Sequence, residues 1–137
     1  MSGTEKTVMP TEIKLHQKSR VLEVAFADGS VFHLPCEFLR VYSPSAEVRG
    51  HGPGQEVLQM GKKDVEITGI EPVGTYAVVL QFSDGHDSGI YSWEYLYELG
   101  RNYDAMWEQY LHRMEEAGAS RESVAGAAAF QQRPQSK

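Results

Sequence analysis

Apolar and polar residues alternate with period two over Thr11–His16, where Ile13 and Leu15 face one way and Glu12, Lys14 and His16 the other. That period marks a half-buried strand. Lys18-Ser19 turns the chain, and Arg20–Ala27 alternates again, with Leu22, Val24 and Phe26 on one face. Asp28-Gly29 followed by Val31, Phe32 and Leu34 predicts a hairpin, because glycine supplies the positive φ that a tight turn demands. Pro35–Tyr42 reads as a short helix entered through proline, with Phe38, Leu39 and Tyr42 at helical spacing. Between Ser43 and Gly61 the pattern dissolves into Ser43-Pro44-Ser45 and Gly50-His51-Gly52-Pro53-Gly54, which predicts a loop long for a small domain, either functional or simply mobile.

The second half resumes with an alternating strand over Val65–Ile70 and a turn at Glu71–Thr75 around Pro72 and Gly74. Tyr76–Phe82 is apolar on both faces and reads as a central strand, with Ile90-Tyr91 returning beside it after the Asp84-Gly85 turn. Ser92 is a natural N-cap, its hydroxyl able to accept a free amide of the first helical turn. Trp93, Leu96, Tyr97, Tyr103, Trp107, Tyr110, Leu111 and Met114 follow at helical spacing, and Gly100 is expected to divide the segment into two helices. The aromatic stripe reads as core, with any exposed part available to a partner. The expected fold is α+β: a small antiparallel sheet built from hairpins, a short helix after the first hairpin and a longer, Gly-broken C-terminal helix. Residues 11–116 form the domain, and 1–10 and 117–137 are expected to be disordered tails. Phe26-Ala27-Asp28-Gly29 with Glu37-Phe38-Leu39 also mirrors Phe82-Ser83-Asp84-Gly85 with Glu94-Tyr95-Leu96, which suggests an internal repeat of strand, turn, strand and helix.

Composition narrows the function classes. With 137 residues and 41% hydrophobic content the chain can bury one core, not two. A net charge of -6 argues against a protein that holds nucleic acid by neutralising phosphates. A lone cysteine, Cys36, excludes an internal disulfide. No secretory leader and no run of about 20 apolar residues is evident, so the expected location is the cytoplasm and no membrane partner is implied.

Candidate chemistry centres on His86, just past the second hairpin turn and between Asp84 and Asp87, where a carboxylate could orient the imidazole or the ring could simply be solvated. His51 lies in the Gly-rich loop and His33 on the outer side of a strand. His112 follows Glu108 at i,i+4 and lacks the second histidine of a helical zinc motif. Cys36 opens the short helix, where a helix terminus could lower its pKa, but no base accompanies it and a buried structural role fits better. The glycines at 50–54 lack the flanking strand, lysine and hydroxyl of a phosphate loop. Arg40, Arg49, Lys62 and Lys63 form a modest basic edge, open to a phosphate or an acidic partner, or a solvated loop rim. No nucleophile with a base, and no acid–base pair, is joined by spacing, so the chain reads as a non-enzyme.

Val24-x-Phe26-x-Asp28-Gly29, then Leu34-Pro35-x-x-Phe38-Leu39-Arg40-Val41, then Phe82-Ser83-Asp84-Gly85-His86 with Tyr91-Ser92-Trp93-x-Tyr95-Leu96, together resemble the gamma-butyrobetaine hydroxylase-like N-terminal domain family. The resemblance covers about Thr11 to Tyr110. In hydroxylases of this kind the domain precedes a separate iron and 2-oxoglutarate catalytic domain, and in some chloroplast and bacterial proteins it accompanies a P-loop ATPase of the iron–sulfur carrier type. This chain looks like a stand-alone bacterial form. The hydroxylase members hold zinc through a Cys-x-Cys-x-x-Cys run and a histidine, and those positions fall here on Ser43, Ser45, Val48 and His86. Serine hydroxyls are poor zinc ligands and valine is none. Two outcomes follow: a relic in which Ser43, Ser45 and His86 hydrogen-bond where the ion sat, or a rebuilt zinc or iron site in which His51 joins His86, Asp84 and Asp87. What the resemblance implies is a non-catalytic binding or adaptor domain linked to iron–sulfur or metalloprotein assembly, its partner a protein such as a P-loop ATPase iron–sulfur carrier. The alternative is a metal-binding protein accessory to an oxygenase-type enzyme.

Overall fold

The computed structural model describes residues 8–50 and 54–122. Two three-stranded antiparallel sheets, rather than one, carry four helices. The first sheet, in the order β1-β2-β3, is formed by β1 (Pro10–His16), β2 (Val21–Phe26) and β3 (Val31–Pro35). β2 is central, and its alternation is met by the fold: Leu22, Val24 and Phe26 are buried and the residues between them half-exposed. α1 (Cys36–Val41) follows, with all six residues buried. The second sheet, in the order β4-β5-β6, contains β4 (Ile67–Val73), β5 (Ala77–Phe82) and β6 (Ile90–Ser92), and leads into α3 (Trp93–Arg101). Both halves therefore run three antiparallel strands in sequential order and then a helix, the order in which the two Asp-Gly segments echo each other.

β5 is the central strand, as its two apolar faces predicted, with Ala77, Val78, Leu80 and Phe82 buried. One core of residues from both sheets, α1 and α3 unites the two halves, and Phe38, Tyr91 and Leu96 are fully buried within it. Ser92 caps α3 by accepting the Tyr95 amide at 3.1 Å.

Several boundaries differ from the reading of the sequence, each for a physical reason. Pro72 lies inside β4 rather than in a turn, which is tolerated because β4 is an edge strand with one side free of ladder bonds. The segment read as a continuous loop contains a one-turn helix, α2 (Ala46–Arg49), whose N-cap Ser45 accepts the Glu47 amide at 3.1 Å. The helical break falls at Asn102, between α3 and α4 (Tyr103–Ala117), and Gly100 sits within α3. Gly100 serves close packing: a Cβ there would overlap the Phe32 ring. Gly118, in the left-handed region at φ 65°, ends α4. Beyond it residues 119–122 are tied down, contrary to the expected tail. The Gly61 and Lys63 amides donate to the Ser120 and Arg121 carbonyls at 3.0 and 2.9 Å, and Arg121 clasps buried Glu37 at 2.7 and 2.8 Å. The remaining tail residues, 1–7 and 123–137, lie outside the described residues. Among the described residues no helix is long and apolar enough to cross a membrane.

Candidate functional site

The second hairpin places His86 against the start of the 43–61 segment. Its ring is buried, with Nε2 2.8 Å from Ser43 Oγ and Nδ1 3.2 Å from a carboxylate oxygen of Glu47. Ser43 Oγ also accepts the Ser45 amide at 3.2 Å. These contacts fit one tautomer, assigned from the network: Nδ1–H donates to Glu47, and the Ser43 hydroxyl donates to Nε2. Burial holds the His86 pKa below its ordinary value, and the nearby Arg40 charge adds to this; Glu47 and Asp84 oppose it without prevailing. Ser45 Oγ pairs with Ser88 Oγ at 2.7 Å. Gly89 lets these two segments approach, since a Cβ at that position would overlap Ser43 Oγ.

Asp84 does not face the imidazole. Its carboxylate takes the His86 backbone amide at 3.2 Å, and its other oxygen takes Arg40 Nε at 2.9 Å and Lys62 Nζ at 2.6 Å. Arg40 Nη1 donates onward to Gln59 Oε1 at 3.0 Å. Burial alone would raise the Asp84 pKa, but Lys62, the His86 amide and Arg40 outweigh it and hold the carboxyl at about 2. Asp87 is exposed. His51 lies outside the described residues.

Most of the basic edge expected from the sequence is paired within the fold: buried Arg40 and half-buried Lys62 serve Asp84, and exposed Lys63 pairs with Glu122 at 3.0 Å. His33 is an exposed neighbour of Glu23. His112 meets Glu116 at 3.2 Å rather than Glu108, an i,i+4 contact on the opposite side in sequence. Burial pushes the Cys36 thiol pKa up, which makes it a structural cysteine.

Ser43, His86 and Glu47 have the order of a serine–histidine–acid triad, a grouping the sequence did not reveal. Ser43 is 1% exposed and its oxygen already accepts an amide, whereas a nucleophile needs access to substrate and a free line of attack. Buried Ser43 and His86, with the exposed Glu47 at their rim, therefore act as a polar tie between the 43–47 segment and the second hairpin. Beside Ser43 a cleft of about 560 Å³ opens between α1, α2, residues 56–59, α3 and α4. Val41, Val48, Leu58 and the rings of Tyr42, Tyr95 and Tyr110 line it, with Arg49 and Arg113 among its polar groups.

Residues 13–97, more than half of the chain, match the family described as gamma-butyrobetaine hydroxylase-like, N-terminal. The chain belongs to this family. Two proteins solved in solution by NMR are similar to it: one is 48% identical with a TM-score of 0.75, covering 99% of both chains. The other is 45% identical with a TM-score of 0.74, covering 91% of this chain and 98% of that one. A protein of unknown function from the DUF971 family of Acidithiobacillus ferrooxidans, solved by crystallography, is 43% identical, with a TM-score of 0.57 over 67% of this chain and 92% of that one. No curated protein matches.

The zinc site that resemblance to hydroxylase members of the gamma-butyrobetaine hydroxylase-like N-terminal family implies does not fit the residues present. Ser43 and Ser45 spend their hydroxyls on His86 and Ser88, and Val48 is a buried aliphatic side chain. A tetrahedral thiolate site needs deprotonated soft donors, and none stands here. Among the described residues no group of three histidine, cysteine or carboxylate side chains is placed to hold an ion. Of the predicted donors, the structure brings Asp84 only to the backbone amide of His86, not to its ring, and the other carboxylate oxygen serves Arg40 and Lys62. Glu47, Arg40 and Lys62 were missed as partners; an N-cap serine two residues before Glu47 was the only local hint.

Proposed function

We propose that the chain is a non-catalytic binding domain serving as an adaptor to a protein partner in iron–sulfur or metalloprotein assembly. The observation that carries the reading is the closed state of its polar centre: His86, Ser43 and Asp84 are engaged with one another's neighbours rather than aimed at an open cavity. Such a centre holds the second hairpin against α1 and the 43–47 segment and leaves the surface to do the binding. The class of partner, a P-loop ATPase iron–sulfur carrier in the cytoplasm, rests on the association of similar domains with such proteins, an argument by analogy. Titrating a purified carrier of that type into the isotope-labelled chain should give saturable amide shifts. Elemental analysis of the untagged protein should find zinc and iron well below stoichiometry, equally in wild type and His86→Ala. Stoichiometric metal lost in His86→Ala would replace this reading with a metal centre in which His51 joins His86.

A further inference from the structure

We propose that the cleft beside Ser43 is a binding site for a small monocarboxylic acid carrying an apolar body. A volume of about 560 Å³ lies in the range of small-molecule sites, roughly 300–1,000 Å³. The walls are apolar, and most polar groups along them are already committed. Tyr42 donates its hydroxyl to the Met106 carbonyl at 2.7 Å, Tyr95 to the Tyr42 carbonyl at 2.6 Å, and Tyr110 to the Gln59 carbonyl at 2.7 Å. The three rings therefore present faces and edges, not donors. Gln59 gives its oxygen to Arg40 and its amide to the Val57 carbonyl at 2.9 Å. Ser43 is held by His86.

Two guanidinium groups and one carboxylate are left. Arg49 is placed over the Tyr95 ring with Cζ 5.0 Å from the centroid, which steadies its fork at the mouth of the cleft. Arg113 lines the same cleft from α4, and so does Glu56. Among the described residues none of these three forms an ion pair with another. The balance is one net positive charge over an apolar floor, in a protein whose overall charge is -6. A monoanion answers that balance, whereas a phosphate dianion would overshoot it. A planar carboxylate also matches the guanidinium fork.

The inference goes beyond the adaptor reading and uses different residues, so the two can fail separately. The test titrates 4-phenylbutanoate and its uncharged counterpart 4-phenylbutanamide into the full, isotope-labelled chain. The acid should saturate, with shifts gathered at Val48, Arg49, Leu58, Tyr110 and Arg113, and the amide should bind about tenfold more weakly, the size of one charge-assisted hydrogen bond. Arg113→Gln and Arg49→Gln should each weaken the acid by about tenfold and leave the amide unchanged. Arg113→Lys, which keeps the charge and loses the fork, should fall between and serves if a glutamine variant loses spectral dispersion. Equal affinity for acid and amide, shifts centred elsewhere, indifference to all three substitutions, or no saturation in the millimolar range would each overturn the proposal. Binding of the acid with no response to the carrier protein would sink the adaptor reading alone.

Discussion

Replacing Asp84 with alanine should destabilise the fold by about 3–5 kcal/mol, because it leaves a buried guanidinium without its counter-charge. The Arg40 side chain is only 8% exposed, and Asp84 is its one acidic partner among the described residues. Lys62, at 20% exposure, can swing to solvent, but Arg40 is fixed in a helix whose six residues are all buried. Gln59 would remain as a neutral acceptor, which satisfies one donor and no charge. Urea unfolding should rank wild type above Asp84→Asn and Asp84→Asn above Asp84→Ala, with asparagine intermediate because its amide oxygen still accepts hydrogen bonds. A loss below about 1 kcal/mol for alanine would show that the cluster behaves as a surface pair instead.

The same cluster sets a pH dependence. The folded carboxyl titrates at about 2, below its ordinary value of 3.8, so the native state binds the proton more weakly than the unfolded chain. The stability from this group is fully present above the unfolded value and is lost as pH falls from there through the folded value. Wild-type stability should therefore drop across that acidic window, and the Asp84→Asn variant should show a shallower drop.

Gly100→Ala should cost about 1–3 kcal/mol even though alanine is the better helix former. Inside α3 the gain in helix propensity is at most about 1 kcal/mol. Against it stands the overlap of the new methyl with the Phe32 ring, which cannot retreat freely: Phe32 packs edge-on against Phe26 at 5.9 Å and Tyr97 at 5.4 Å between centroids. The steric term wins. Trimming the obstacle should reveal the coupling, so that Gly100→Ala in a Phe32→Ala background costs less than in the wild type. Additive losses in this double-mutant cycle would mean that the helix and β3 do not press on each other at Gly100.

The strands of both hairpins, the Ser92 cap and the buried faces were determined by the sequence alone, because each rests on neighbours within a few residues. Alternation at Leu22, Val24 and Phe26 is a local property, and so is the Ser92 cap of α3. The grouping of residues at the candidate site was legible only as far as Ser43, Ser45 and His86, through their positions in a family pattern. That His86 meets Glu47, and that Asp84 turns from its sequence neighbour to Arg40 and Lys62, depends on contacts 22 to 44 residues apart in the chain. Such pairings come from how the two sheets pack on a shared core. Gly100 shows the same division: read along the chain it is a helix breaker, but the Phe32 ring lying against it makes it a packing residue. Arg40 and Arg49 were visible as charges, and only the fold decided that Arg40 would be neutralised inside while Arg49 stayed at the open mouth of the cleft. Local pattern specifies which residues want burial or a cap; charge partners and cavities are set by surfaces that the chain brings together last.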